Sequence, residues 1–245
     1  MLKGKISVII PAFNEEDNIL TTIEETIKVL AEFGTDYEVI IIDDGSVDNT
    51  YNKVQENLSI FNGIVKIESY KSNIGKGFAI KYGFNFVSGD YVLFLDADMD
   101  LHPSHMKDFL KLIEEYKADV VMGSKRHKDS IVDYPKSRKF LSNGYYLLIK
   151  ILFGLPVKDT QTGFKLFRYE ALKNGISRII VKRYAFDLEL LVVLHKLGYK
   201  IIESPIYLKP SRRYYNRIGL KDIYHTFIDT AAIFYRLYIK KYYNN

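Results

Sequence analysis

Asp96, Asp98 and Asp100 stand two residues apart at the end of an apolar run, in the stretch YVLFLDADMDLHP from Tyr91 to Pro103. In an extended chain alternate residues point to the same side. The spacing therefore predicts that Asp96 and Asp98 face one way, with Asp100 beside them if the extension continues. Carboxylates held so close repel, and one keeps its proton unless a cation sits between them. Mg²⁺ and Mn²⁺ are hard cations that take oxygen ligands and commonly bridge to substrate phosphates. The triplet thus reads as the seat of a metal–diphosphate complex. In the competing reading one Asp caps the next helix and the others are solvated; the run YVLFL in front of the acids favours the metal.

Two further clusters have similar chemistry. Asp43 and Asp44 follow another apolar run, in IIDDGSVDNT. A carboxylate there can accept hydrogen bonds from a ribose hydroxyl or a base N–H. Ser46, Asp48 and Asn49 behind it are turn and helix-cap residues. The segment NIGKGFA, Asn73 to Ala79, resembles a phosphate loop without the spacing of a Walker motif. Gly75 and Gly77 permit close backbone approach, and Lys76 can reach a base or a phosphate. The five histidines are scattered; His102 and His105 lie near the acids, but no third ligand for zinc is in view, so all five are read as structural or surface residues.

The elements that must position these groups alternate. ISVIIPAF, YEVIIID, IVKIES, YVLFLDAD and DVVMGS are short, β-branched and lack polar alternation, as buried strands do. Between them lie helical patterns at Glu15–Phe33, from Thr50 to Leu58, at Lys76–Val87 and near Ser104–Tyr116. Strands separated by helices predict an α/β fold with a mostly parallel sheet covered on both faces. In such sheets ligands bind at the carboxyl ends of the strands, where PAFNEE, DDGSVD and DADMD all fall. The second half is less regular: a helix from Lys139 to Phe153, the short strand FKLF, a helix from Phe186 to Leu197, a strand YKIIESPIYLK and a long helix from Leu220 to Tyr242. With no repeat or linker in view, residues 1–245 are expected to form one domain.

The 245 residues include no cysteine, which excludes disulfide and thiolate chemistry. No signal peptide is read at the N-terminus, and no apolar run reaches the ~20 residues that cross a bilayer. The net charge of +5 is uneven. Residues 200–245 carry nine Lys or Arg against three acids, an excess of +6 that leaves −1 for the rest. Such an end suits an anionic partner, whether nucleic acid, a phosphorylated lipid or a membrane surface, or is a solvated basic face.

Taken in order, VIIPAFNEE, IIDDGSVDNT, NIGKG and DADMD resemble the family-two inverting glycosyltransferases with the type A fold. VVMGSKRH, VKDTQTGFKLF and YAFDLELL are similar to the dolichyl-phosphate glucosyltransferases, with the mannosyltransferases close behind. The resemblance implies a nucleotide-sugar half, 1–124, and an acceptor half with interfacial helices, 125–245. It implies a nucleotide pocket of Pro11, Phe13, Glu15, Lys76 and Ala97, with Asp43 and Asp44 at base and ribose. Asp96, Asp98 and Asp100 would hold Mg²⁺ or Mn²⁺, and Asp98 and Asp187 are the catalytic candidates. Lys125, Arg138, Ser142 and Arg217 match positions that bind the acceptor phosphate in mannosyl relatives; Lys125 stands where Arg is usual. Asp187 favours glucose over mannose. The implied partners are UDP-glucose or GDP-mannose, dolichyl or polyprenyl phosphate and the cytoplasmic face of a membrane, bound peripherally, with no nucleic acid. The readings that compete are a saccharide or protein acceptor, a nucleotidyltransferase, and a non-catalytic sugar-nucleotide or nucleic-acid binder.

Overall fold

The computed structural model of the chain describes residues 4–132, 136–208 and 220–244, and of residues 136–141, 220–222 and 244 the backbone alone. A seven-stranded sheet runs through it in the order β3-β2-β1-β4-β7-β5-β8. Its strands are β1 (Ile6–Ala12), β2 (Tyr37–Asp43), β3 (Val65–Ser69), β4 (Tyr91–Phe94), β5 (Val120–Ser124), β7 (Lys165–Arg168) and β8 (Ile201–Pro205). All neighbours are parallel except β7, which runs against both β4 and β5. A second, two-stranded parallel sheet joins β6 (Ile131–Val132) to β9 (Tyr207–Leu208).

The strand pleat decides which helices cover which face. Along β1, Ile6, Val8 and Ile10 enter one core while Ile9 enters the other; Val39 and Ile41 of β2 are likewise divided from Ile40 and Ile42. One core packs under α1 (Ile19–Ala31), α2 (Thr50–Asn57) and α4 (Met106–Glu115). The other packs under α3 (Lys76–Gly83), α5 (Lys136–Phe153), α6 (Tyr169–Ile176), α7 (Phe186–Lys196) and α8 (Leu220–Phe234). Each fully buried Ile or Leu contributes roughly 1.5–3 kcal/mol. One buried polar residue away from the sheet rim is fully satisfied. Buried Glu38 of β2 accepts hydrogen bonds from Ser7 Oγ at 2.7 Å, from Ser88 N and Oγ at 2.8 Å, and from Lys66 Nζ at 3.1 Å. Burial pushes its pKa up, but these donors outweigh burial and hold the carboxyl at about 2.

Two features place the site. Chain order reverses beside β1, with β2 and β3 on one flank and β4 on the other, and such a switch opens a crevice at the carboxyl ends. Antiparallel β7 starts at that same rim, because its first residue, Lys165, pairs with Phe94 and Met122. It therefore delivers the loop 159–164 to the acids. The sequence reading gave FKLF as a strand, but not its reversed direction, and it omitted α6 and the small sheet. The single strand expected in YKIIESPIYLK is divided into β8 and β9. The last helix leaves α geometry at Tyr235 for a π turn through Ile239. Among the described residues no helix is long and apolar enough to cross a membrane.

Candidate active site

A cavity of about 980 Å³ opens at the carboxyl rim of the sheet. Pro11, Phe13 and Glu15 reach it from the end of β1, and Asp44 from the end of β2. Lys76 comes from the first turn of α3, Asp187 from the first turn of α7, and Lys125 from the end of β5. Asp96, Ala97, Asp98 and Asp100 line it from the loop after β4. Asp43 does not line this wall. It is buried, and its Oδ1 has no hydrogen-bond partner among the described residues. Burial raises its pKa, against a weaker lowering by Ser46.

Asp44 has a different task from its neighbour. Its carboxylate accepts from Tyr70 Oη at 2.7 Å, Asn73 Nδ2 at 2.9 Å, Ile74 N at 2.8 Å and Gly75 N at 2.9 Å. It thereby fixes the loop that leads Lys76 into the cavity. Gly75 sits at φ +121°, where a side chain would also strike the Lys182 carbonyl. Asp48, rather than Asn49, caps α2, accepting from Thr50 N at 3.0 Å.

The extended geometry expected of the acids does not persist. β4 ends at Phe94, the chain turns at Ala97–Asp98, and Met99 adopts φ 58°. Asp98 Oδ1 accepts from Asp100 N at 3.0 Å, within the turn. Among the described residues no three carboxylate or imidazole groups gather to hold a metal. Asp96, Asp98 and Asp100 line one cavity, but a tight turn ends the alternation that an extended strand would have given them. What the rim offers is hard oxygen from several carboxylates, a donor set that fits Mg²⁺ or Mn²⁺ once diphosphate oxygens complete it. Lys76 Nζ stands 2.5 Å from Asp96 Oδ1. Burial lowers the lysine pKa, but Asp96, then Asp187 and Asp98, outweigh it and keep the ammonium charged. The loop before β7 supports the same carboxylate, since a Cβ on Gly163 would run into Asp96.

Asp187 is paired by a residue that sequence reasoning missed. Lys165, fully buried in β7, donates from Nζ to Asp187 Oδ1 at 2.5 Å and to the Thr162 carbonyl. Burial lowers its pKa, opposed by Asp187. Lys76, Asp96 and Asp187 line the cavity, and Lys165 is buried behind Asp187, so charges of alternating sign meet there. The available signal was the charge itself, a lysine inside the apolar run FKLF.

Beside this cavity lies a smaller one of about 50 Å³, lined among others by Lys125, Arg126, Ser142, Lys158 and Gln161. Arg126 donates to Ser142 Oγ at 2.8 Å and Asn143 Oδ1 at 2.7 Å, and lies 4.9 Å over the Tyr146 ring. Lys125 is the cation expected here from the sequence; Arg126, which is not among the expected residues, lines the same cavity. Lys125 Nζ lies 3.6 Å from buried Asp159, so part of its charge is balanced. Burial raises the Asp159 pKa, but Lys125 and three hydrogen bonds outweigh that and lower it. The Arg138 side chain and all of Arg217 fall outside the described residues.

The profile of the family described as Glycosyl transferase family 2 matches residues 7–176, well over half of the chain. The chain belongs to glycosyl transferase family 2. Among family-named relatives, it is 35% identical over 218 residues to a dolichyl-phosphate beta-glucosyltransferase of Dictyostelium discoideum, which takes in 82% of this chain and 65% of the relative. It is 32% identical over 223 residues to the enzyme of that name from Saccharomyces cerevisiae, covering 82% and 66%. The chain spans just under two thirds of the length of these curated relatives. The glycosyl transferase fold is also evident in solved structures. Mannosyl-3-phosphoglycerate synthase from Rubrobacter xylanophilus superposes with a TM-score of 0.74 at 17% identity, over 97% of this chain and 74% of its own. Glucosyl-3-phosphoglycerate synthase from Mycobacterium tuberculosis, in complex with Mn²⁺, UDP-glucose and phosphoglyceric acid, gives 0.68 at 20% identity over 95% and 79%.

Proposed function

We propose that this chain transfers glucose from a nucleoside diphosphate, UDP-glucose in the first instance, to dolichyl or another polyprenyl phosphate, with inversion to a β-linked lipid monosaccharide. The observation that carries the reading is the abutment of two unlike walls. Carboxylates and Lys76 face the large cavity, Arg126 and Lys158 face the small one, and Lys125 faces both. The names of the relatives supply the acceptor class.

The work of the residues follows from charge. Pro11, Phe13 and Glu15 flank the nucleotide, with Asp44 on the same wall, while Asp43 lies buried behind it. A divalent metal held by Asp96 and Asp98, when bound, neutralises charge on the leaving diphosphate. Lys76, beside Asp96, adds a second fixed cation at the same place. The acceptor phosphate is already an anion at neutral pH, so it needs positioning more than deprotonation. Lys125 and Arg126 screen it from the donor diphosphate, and Arg supplies planar two-point contact. In-line attack on the anomeric carbon then breaks its bond to the diphosphate on the opposite face. Asp187 is paired with Lys165 and lines the cavity as a hydrogen-bond acceptor.

A polyprenyl tail calls for an apolar face beside the site. Leu147 and Ile151 of α5 and Tyr224, Phe227 and Ile228 of α8 are exposed, while Ile149, Phe153 and Ile233 anchor both helices in the core. That face, on a chain whose residues 200–245 carry nine Lys or Arg against three acids, docks on an anionic membrane surface. The decisive assay incubates the protein with labelled UDP-glucose or GDP-mannose, Mn²⁺ and polyprenyl phosphate. Label passing into the organic phase from UDP-glucose supports the reading. Label that stays aqueous with both donors removes it.

A further inference from the structure

We propose that Gln161 recognises the hexose being transferred, an inference that rests on the hexosyl-transfer reading above. Gln161 lines both cavities, so it stands on the wall they share. Its main chain is fixed: its N–H donates to Asp159 Oδ1 at 3.1 Å, and Asp159 is held in turn by Lys125 N at 3.0 Å and Thr162 Oγ1 at 2.7 Å. Its side chain is not fixed in this way. Nε2 is shut off from solvent and has no hydrogen-bond partner among the described residues. A buried amide donor without an acceptor carries its full desolvation cost, so such a group calls for an explanation. The last torsion of glutamine is broad and roughly two-fold, so the amide is free to reorient toward a ligand in the cavities it lines.

The chemistry of the amide selects the ligand. A carboxamide both donates and accepts. Phosphate oxygens only accept, and both expected phosphates already have cations: Lys76 on the donor side, and Lys125, Arg126 and Lys158 on the acceptor side. Between donor diphosphate and acceptor phosphate lies the hexose, whose hydroxyls donate and accept at once. Gln161 is the uncharged two-way group at that boundary. It acts as a specificity residue: it fixes the sugar's orientation through a ring hydroxyl and leaves the nucleotide alone.

The test is calorimetric titration of UDP and of UDP-glucose, each with Mn²⁺, into wild type, Gln161→Met and Gln161→Ala. Gln161→Met keeps length and removes the hydrogen bonds. The expected result is UDP affinity within about twofold of wild type and UDP-glucose affinity lower by about tenfold. Unchanged UDP affinity also certifies that the variant is folded, and Gln161→Ala serves if Gln161→Met is not. Transfer assays should show a raised KM for UDP-glucose and an unaltered KM for polyprenyl phosphate. Equal loss for both nucleotides overturns the proposal, as does unchanged UDP-glucose binding. A raised acceptor KM with intact donor binding assigns Gln161 to the phosphate and also overturns it. Failure of wild type to bind UDP at all would instead remove the donor reading underneath.

Discussion

Three side chains give predictions at the scale of single residues. Asp98→Asn keeps the shape of the turn after β4 but removes a charge that a divalent ion requires. The fold, followed by circular dichroism, should persist while transfer falls by about a hundredfold or more, and chelation should abolish wild-type transfer; full activity in EDTA would refute the metal assignment. Lys165→Met leaves Asp187 buried without its counter-charge. Breaking a buried pair costs about 3–5 kcal/mol, visible as a lower denaturant midpoint, and Asp187→Asn added to it should recover much of the stability without recovering activity. Glu38 gives a pH dependence. Its folded pKa, about 2, lies below the ordinary 4.5. The unfolded chain therefore takes up the proton first as pH falls, and the stabilisation present above about 4.5 is lost on the way to about 2. Thermal melts between about pH 6 and about pH 3 should show a smaller acid loss for Glu38→Gln than for wild type. Equal losses would show that Glu38 does not govern this limb.

At the scale of elements, the parallel strands were legible because β1, β2, β4 and β5 are runs of β-branched and aromatic residues with no polar alternation, which only a doubly covered sheet produces. β7 was legible as a strand but not as a reversed one. Four residues carry no mark of direction, and its lysine breaks the apolar run. The rim acids were legible as a cluster, and their mutual geometry was not, because a period of two holds only while the chain is extended and β4 stops at Phe94. The partners of Asp187 and Asp44 lie far off in sequence, at Lys165 and at Tyr70 to Gly75, so only the tertiary structure joins them. The loop entering β7 supplies a prediction of its own. Gly163→Ala drives a methyl into the Asp96 carboxylate and should cut transfer and Mn²⁺ affinity together while the sheet stays intact by circular dichroism; normal Mn²⁺ binding would show that the loop can yield. The α5–α8 pair supplies another. Ile151→Asp with Ile228→Asp should reduce retention on anionic liposomes by at least about tenfold and leave UDP affinity alone. Retention that does not change would move the docking face elsewhere.

On the scale of the whole molecule, attraction to a membrane should weaken with salt, since exposed charge is screened over ~10 Å at 0.1 M. The closing segment ties back to the chemistry through one buried acid. Glu189 lies two residues beyond Asp187 on α7 and is fully buried. It accepts from the backbone N–H of Ile180 at 2.8 Å and Val181 at 2.7 Å, from Arg236 Nη2 at 2.9 Å, and from Tyr243 Oη. Arg236 comes 47 residues after Glu189, and Tyr243 comes 54 after it. On a ribosome adding about 5–20 residues per second, that separation is roughly three to ten seconds. For that interval the nascent helix carries a carboxylate that has neither its cation nor its hydroxyl, and burying it would be costly. The nucleotide-side strands can pair while synthesis continues, but the helix that presents Asp187 has to wait. The packing around Asp187's helix is thus completed only once Arg236 and Tyr243 have emerged and docked.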